Sequence, residues 1–186
     1  MSFETDKKNV LGRMDKSKKG EIDDGIKEIC KLINANPQYY TTSSCSGRIV
    51  VLEKKSEKKD EAEWIFVLHQ ETDFETVRKN LKSETNAWFK QEGAILHACC
   101  RTISDAARFL DIARNAGFKR AGIISAGENP VVEIISSEQM NTPLIADGKL
   151  MVSEEYLKIL ISEANKKMQR NREKLERLKN SIERIK

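Results

Sequence analysis

With 186 residues, 39% hydrophobic and 33% charged, the chain is long enough for a genuine core and unusually rich in charge. No apolar run approaches the ~20 residues of a membrane-spanning helix, and the opening "MSFETDKKNV" lacks the apolar stretch of a secretory leader, so a cytoplasmic location is expected. Residues 165–186 hold nine Lys/Arg and three Asp/Glu, a net of +6, so residues 1–164 carry −2 of the overall +4 and the basicity is concentrated in the tail.

In chain order, Ile22, Ile26, Ile29, Cys30 and Ile33 recur at helical spacing, and Pro37 stops that helix. The polar run "TTSSCSGR" (Thr41–Arg48) follows, read as a loop at the mouth of the strand "RIVVLEKK". A charged connection, "SEKKDEAE", leads to the strand "WIFVLHQ". Thr72 and Glu75 have the spacing of a capping box for a helix with Phe74, Val77, Leu81 and Trp88 on one face. "GAILHACC" is a strand. Thr102 and Asp105 then cap the helix "ISDAARFLDIARNA", which Gly117 closes. Three further strands follow in "RAGIIS", "VVEIIS" and "LIADGKLMV", the last with an "ADGK" turn.

From Ser153 one long helix is expected. Leu157, Ile161, Ala164, Met168, Leu175, Leu178, Ile182 and Ile185 form a heptad seam that only Asn171 interrupts, fit to pack on the body or to pair with another chain. The expected architecture is α+β: a single mixed, largely antiparallel sheet with flanking helices. Residues 1–164 make up the domain, and 165–186 continue it as a basic C-terminal helix. No GxGxxG follows a strand and no GxxxxGK[ST] occurs, so Rossmann and P-loop sites are excluded.

Three segments carry candidate chemistry. Small residues in Thr41–Arg48 let backbone N–H groups approach a ligand, five hydroxyls donate or accept, and Arg48 adds a forked cation; an ordinary serine-rich turn is the plainer reading. In "MDKSKKGEID", Asp15, Ser17, Lys19 and Asp23 lead into a helix N-terminus that favours an anion, although a solvated cap explains the same residues. In "ILHACCR", alternation puts His97, Cys99 and Arg101 on one face and Leu96, Ala98 and Cys100 on the other. Such a polar face is expected at a cleft or an anion. Cys30, Cys45, Cys99 and Cys100 show no CxxC spacing, so free thiols are expected and no metal site.

Together these segments resemble the wybutosine-synthesizing protein 3 family of transfer RNA methyltransferases. Thr41–Arg48 matches its T-x-S-S-C-S-G-R signature, and Asp15, Ser17, Lys19, Gly20, Ile22 and Asp23 match D-x-S-x-K-G-x-I-D. Trp64 with His69 fits W-x-x-x-x-H, and Glu92 with Ile95-Leu96-His97 fits E-P-x-I-L-H, with Gly93 in place of proline. Ala116-Gly117-Phe118 and Gly122-Ile123 fit A-G-F-R-N-S-G-I, with Lys119-Arg120-Ala121 departing from R-N-S. The resemblance implies methyl transfer from S-adenosylmethionine to a ring nitrogen of the wyosine-type base 3′ of the anticodon of phenylalanine transfer RNA. It implies Asp15 and His97 as catalytic residues, with Asp23 a further candidate base. Ser44, Cys45, Ser46, Gly47 and Arg48 would bind the cofactor, and Ser17, Lys19, His69, Arg101 and Lys119 the substrate. Trp64 is expected in the core, with stacking on the base as the alternative. A non-catalytic RNA-binding module and a coiled-coil interaction protein are the competing readings.

Overall fold

The computed structural model describes residues 2–12, 22–54 and 62–184. Its elements are α1 (Phe3–Leu11), α2 (Asp24–Ala35), β1 (Tyr39–Cys45), β2 (Arg48–Lys54), β3 (Ala62–Leu68), α3 (Phe74–Asn80), β4 (Asn86–Glu92), β5 (Ile95–Cys100), α4 (Ile103–Asn115), β6 (Gly122–Ser125), β7 (Val131–Ile135), β8 (Met140–Ala146), β9 (Lys149–Leu150) and α5 (Glu154–Glu183). No helix among the described residues is long and apolar enough to cross a membrane. The elements build two compact units: Met1–Ser46 with Ala94–Ser137 and Asn171–Lys186, and Gly47–Gly93 with Glu138–Arg170.

The first unit holds the antiparallel sheet β1-β5-β7-β6 and the second the antiparallel sheet β3-β2-β4-β8-β9. The α+β class and antiparallel pairing are as expected, whereas the expected single sheet is in fact two. Strand–helix order is local and legible, but which strands share a ladder is decided by long-range pairing.

In the first unit, Ile26, Ile29, Cys30 and Ile33 bury the inner face of α2 against Leu96, Ala98 and Cys100 of β5, Phe109 and Ala113 of α4, and Leu175, Leu178 and Ile182 of α5. Each fully buried Leu, Ile or Phe contributes about 1.5–3 kcal/mol. The second half of the heptad seam is therefore occupied by its own chain, not by a partner helix. The capping box of α4 forms as expected: Thr102 Oγ1 accepts from the Asp105 N–H at 3.1 Å, and Asp105 accepts from the Thr102 N–H at 3.1 Å. Gly117, at φ 106°, follows its C-cap. The unanticipated α1 starts at Ser2, whose hydroxyl accepts from the Thr5 N–H at 3.3 Å; its Phe3 packs with Tyr40 and Cys99 on the outer face of β1 and β5.

In the second unit, Leu157, Ile161, Ala164 and Met168 of α5 and Val77 of α3 cover Ile49, Val51, Ala87 and Phe89 on one face of the sheet. The "ADGK" turn appears between β8 and β9, with Asp147 at φ 48° and Gly148 at φ 72°. Two expectations fail around α3. The cap is Asp73, which accepts from the Thr76 N–H at 2.7 Å; the Thr72 backbone is instead clamped by Asn165, which donates to its carbonyl (2.8 Å) and accepts from its N–H (3.1 Å). The helix ends at Asn80, and Trp88 lies in β4. The alternation of Ala87, Phe89 and Gln91, all fully buried, is the strand signal that the helical reading of Trp88 overrode.

Candidate functional site

The polar run is mostly strand. Tyr39–Cys45 pairs antiparallel with β5, with a bulge between Thr41 and Ser43, so its hydroxyls are distributed by the pleat over two faces of the first sheet. On the inner face, Thr41 is bound by Asn34 of α2, which accepts from the Thr41 N–H at 2.7 Å. There too the Cys30 thiol donates to the Ser44 hydroxyl at 3.5 Å. Burial pushes the Cys30 thiol up from its ordinary value, so it serves as a neutral donor.

On the outer face, Ser43, His97 and Glu133 form a row across β1, β5 and β7. Ser43 Oγ lies 2.9 Å from His97 Nδ1, and His97 Nε2 lies 2.9 Å from Glu133 Oε1. A carboxylate only accepts, so Nε2–H donates to Glu133, and in the neutral imidazole the Nδ1 lone pair then accepts from the Ser43 hydroxyl. Cys45 is on the same outer face, opposite Ile95. His97 and Ser44 are thus on opposite faces, while His97, Ser43 and Glu133 are brought together. Ser43 and Glu133 were not singled out from the sequence. Ser43 stood inside a signature read as a loop, and Glu133 is one carboxylate among 29.

At the end of β1, Asp23 accepts from the Ser46 N–H (3.0 Å) and hydroxyl (3.4 Å). Ser46 packs so closely on α2 that a Cβ at Gly25 would sit 3.0 Å from the Ser46 Cβ, so a larger residue there requires Ser46 to give way by a few tenths of an ångström. From the other side Asn171, fully buried in α5, donates to the Ser46 carbonyl at 2.7 Å and accepts from the Ala94 N–H at 2.8 Å. The residue that breaks the heptad seam is the one that fixes this turn.

The remaining candidates are scattered. Gly47, at φ 97°, begins the second unit, and its carbonyl is 3.2 Å from His69 Nδ1, which therefore carries a proton and donates to it. Arg48 Nε donates to Glu92 at 2.6 Å, and its guanidinium stacks 3.9 Å from the centre of the Trp64 ring. Trp64 itself is 46% exposed on the edge strand β3, which corrects the expectation of a core tryptophan. Arg101 donates to Glu4 at 2.5 Å and to the Pro37 carbonyl at 3.0 Å, and lies over the Phe3 ring; the anion its face was expected to meet is a carboxylate of α1. Lys119 is exposed in the turn between α4 and β6. Asp15, Ser17 and Lys19 lie outside the described residues.

Comparison with known proteins supplies the frame for this geometry. The family model described as methyltransferase TYW3 matches residues 5–184. The chain belongs to the TYW3 methyltransferase family. It is 34% identical to the tRNA wybutosine-synthesizing protein 3 homolog of Danio rerio, over 98% of this chain and 75% of that one. It is 37% identical to the tRNA(Phe) 7-((3-amino-3-carboxypropyl)-4-demethylwyosine(37)-N(4))-methyltransferase 1 of Pyrococcus furiosus, over 98% and 95%. The solved structure of the PH1069 protein from Pyrococcus horikoshii superposes with a TM-score of 0.90 at 37% identity, covering 97% of this chain and 96% of that one. A hypothetical protein from Aeropyrum pernix gives 0.76 at 31%, covering 88% and 98%. A TYW3 protein is an enzyme that transfers a methyl group, and the resemblance drawn from the sequence identified the family correctly.

Proposed function

We propose that this methyltransferase moves a methyl group from S-adenosylmethionine to a ring nitrogen of the wyosine-type base that follows the anticodon of phenylalanine transfer RNA. The names of the Pyrococcus and Thermococcus relatives, which specify a demethylwyosine N4 acceptor at position 37 of tRNA(Phe), support the substrate. The observation that carries the chemistry is the Ser43–His97–Glu133 row, a base held in one tautomer by a carboxylate and reached through a hydroxyl.

The residues at the end of β1 fit a cationic, hydroxyl-rich cofactor. Asp23 offers an anionic acceptor, Ser44 and Ser46 offer hydroxyls, and Gly47 turns the chain at a positive φ without side-chain bulk. In this reading Ser44, Cys45, Ser46 and Gly47 hold the cofactor, with Arg48 bounding the stretch. When bound, S-adenosylmethionine supplies an electrophilic methyl carbon. Ser43 takes the proton of the acceptor nitrogen as it passes its own to His97 Nδ1, and Glu133 stabilises the imidazolium formed. Most of the remaining rate comes from alignment of methyl and nitrogen. An anticodon-loop base is already single-stranded, which lowers the cost of turning it into a pocket. Lys119 and the exposed basic residues of 165–186 contact phosphates in this reading.

Purified protein given labelled S-adenosylmethionine should label phenylalanine transfer RNA carrying the demethylated precursor and leave fully modified transfer RNA unlabelled. Absence of transfer, with no calorimetric binding of S-adenosylmethionine or its demethylated product, would overturn the reading in favour of a non-catalytic RNA-binding module.

A further inference from the structure

The sheet of the second unit has two unlike faces. Both helical segments of that unit, α3 through Val77 and α5 through Leu157 to Met168, cover the face carrying Ile49, Val51, Ala87 and Phe89. The pleat sends the alternate residues to the other face, and the ladder register aligns them in rows. Trp64 of β3 is opposite Leu52 of β2, Leu52 is opposite Trp88 of β4, and Trp88 is opposite Pro143 of β8. One row of four strands thus presents both tryptophans of the chain. Lys90, opposite Val50, is in the next row, and Arg48, opposite Glu92, is in the one after.

This face combines two features that rarely coincide on a solvated sheet. Trp64 and Pro143 are exposed, and Trp88 and Lys90 are half-buried, so large apolar groups face outward beside cations. Trp64 is also held in place. The Arg48 guanidinium stacks on it at 3.9 Å and is itself fixed by Glu92 at 2.6 Å, so the ring is a preorganised platform. Glu92 is committed to Arg48, which leaves Lys90 as the charge facing a ligand in the middle row. Flat aromatic surfaces spaced across a sheet, with cations beside them, suit a polyanion whose bases unstack. Lipid and acidic peptide lack the π-faces that would use two tryptophans. Single-stranded nucleic acid has both.

We infer that the outer face of the β3-β2-β4-β8 sheet binds single-stranded RNA, bases stacking on Trp64 and Trp88 and Lys90 meeting the phosphate backbone. This rests on the reading that the enzyme acts on RNA and adds where nucleotides outside the reacting base are held. Its chemistry is sequence-tolerant, because every base has a π-face.

Both tryptophans lie on this face, so intrinsic fluorescence reads it directly. Titration of the full chain with single-stranded oligoadenylate should give saturable quenching, and duplex RNA of the same length much less. Trp64→Ala should weaken oligoadenylate binding roughly tenfold at fixed salt, and Trp64→Phe should retain most of the affinity. A thermal melt confirms that each variant is folded. No quenching in the wild type, equal quenching by duplex, or unchanged affinity in Trp64→Ala would each overturn the inference. A concentration-dependent dimer whose tryptophans are already quenched would overturn it in favour of a second copy on this face. Methyl transfer measured on the same preparations separates the two proposals. Transfer with RNA affinity indifferent to Trp64 leaves the enzyme reading standing and removes this one, while stacking without transfer does the reverse.

Discussion

Asn171→Leu restores an unbroken heptad seam and should nevertheless destabilise the protein. Asn171 is fully buried and holds two backbone groups of distant segments, donating to the Ser46 carbonyl at 2.7 Å and accepting from the Ala94 N–H at 2.8 Å. Leucine satisfies neither. A buried polar group left without a partner costs about 1–3 kcal/mol, so two cost about 4 kcal/mol at the centre of that range. The leucine side chain returns about 1–2 kcal/mol of apolar burial, leaving a net loss of about 2–3 kcal/mol. In a chain of this size that lowers Tm by about 4–12 °C. Thermal and urea melts followed by circular dichroism measure it. Because the Ser46 turn is also loosened, cofactor affinity should fall in the same variant. Asn171→Asp is the informative companion, since it keeps the acceptor for Ala94 but opposes a carboxylate to the Ser46 carbonyl. Burial raises that carboxyl above its unfolded value of about 3.9, so the variant should lose stability as pH rises from about 4 and recover on acidification, when a protonated carboxyl donates to Ser46. An Asn171→Leu protein as stable as the wild type would refute the assignment of these two hydrogen bonds as stabilising.

Four other outcomes follow from the geometry. His97→Gln should lower kcat about 100-fold while stability changes by about 0.5 kcal/mol or less, and an unchanged kcat would remove His97 as the base. Of the four thiols, Cys45 should react first with a chromogenic disulfide at pH 8, because Cys30, Cys99 and Cys100 are buried and the Cys100 thiol is pushed up to about 12; four equal rates would contradict this burial. The hydrogen bond from Arg101 holds the Glu4 carboxyl below its ordinary 4.5, so the stability that Arg101→Ala lacks should be present above that pH and vanish as pH falls through the depressed value; an advantage independent of pH would disprove the pairing. Replacing the exposed Arg172 and Arg184 together by Gln should flatten the salt dependence of transfer RNA binding by about 1.4–1.8 in log–log slope, whereas an unchanged slope would exclude phosphate contacts there. Truncation of the tail is the poorer test, because Leu175, Leu178 and Ile182 belong to the core of the first unit and their loss would unfold it.

Local rules were enough for several parts of this protein. The capping box of α4, the turn at Asp147-Gly148, the α5 seam and the two faces of "ILHACC" each depend on residues within a turn or a pleat of one another, so spacing alone specifies them. The family, too, was legible, because its signature is a contiguous string. What the tertiary structure decided was every feature whose partner is remote in the chain. Serines and threonines read locally as a loop, since their hydroxyls compete for nearby backbone, yet here they are satisfied by Asn34, Cys30 and His97, and the segment becomes an edge strand. Trp88 sits at a spacing that suits a helix and lies in a strand because β2 and β8 flank it. Asn171 looked like a flaw in an apolar stripe. Only the arrival of the Ser46 carbonyl and the Ala94 N–H, 125 and 77 residues away in sequence, turns it into the residue that fixes the Ser46 turn. The physical reason is common to all three: a polar group or a strand edge takes its meaning from the group that satisfies it, and long-range pairing leaves no mark at short spacing.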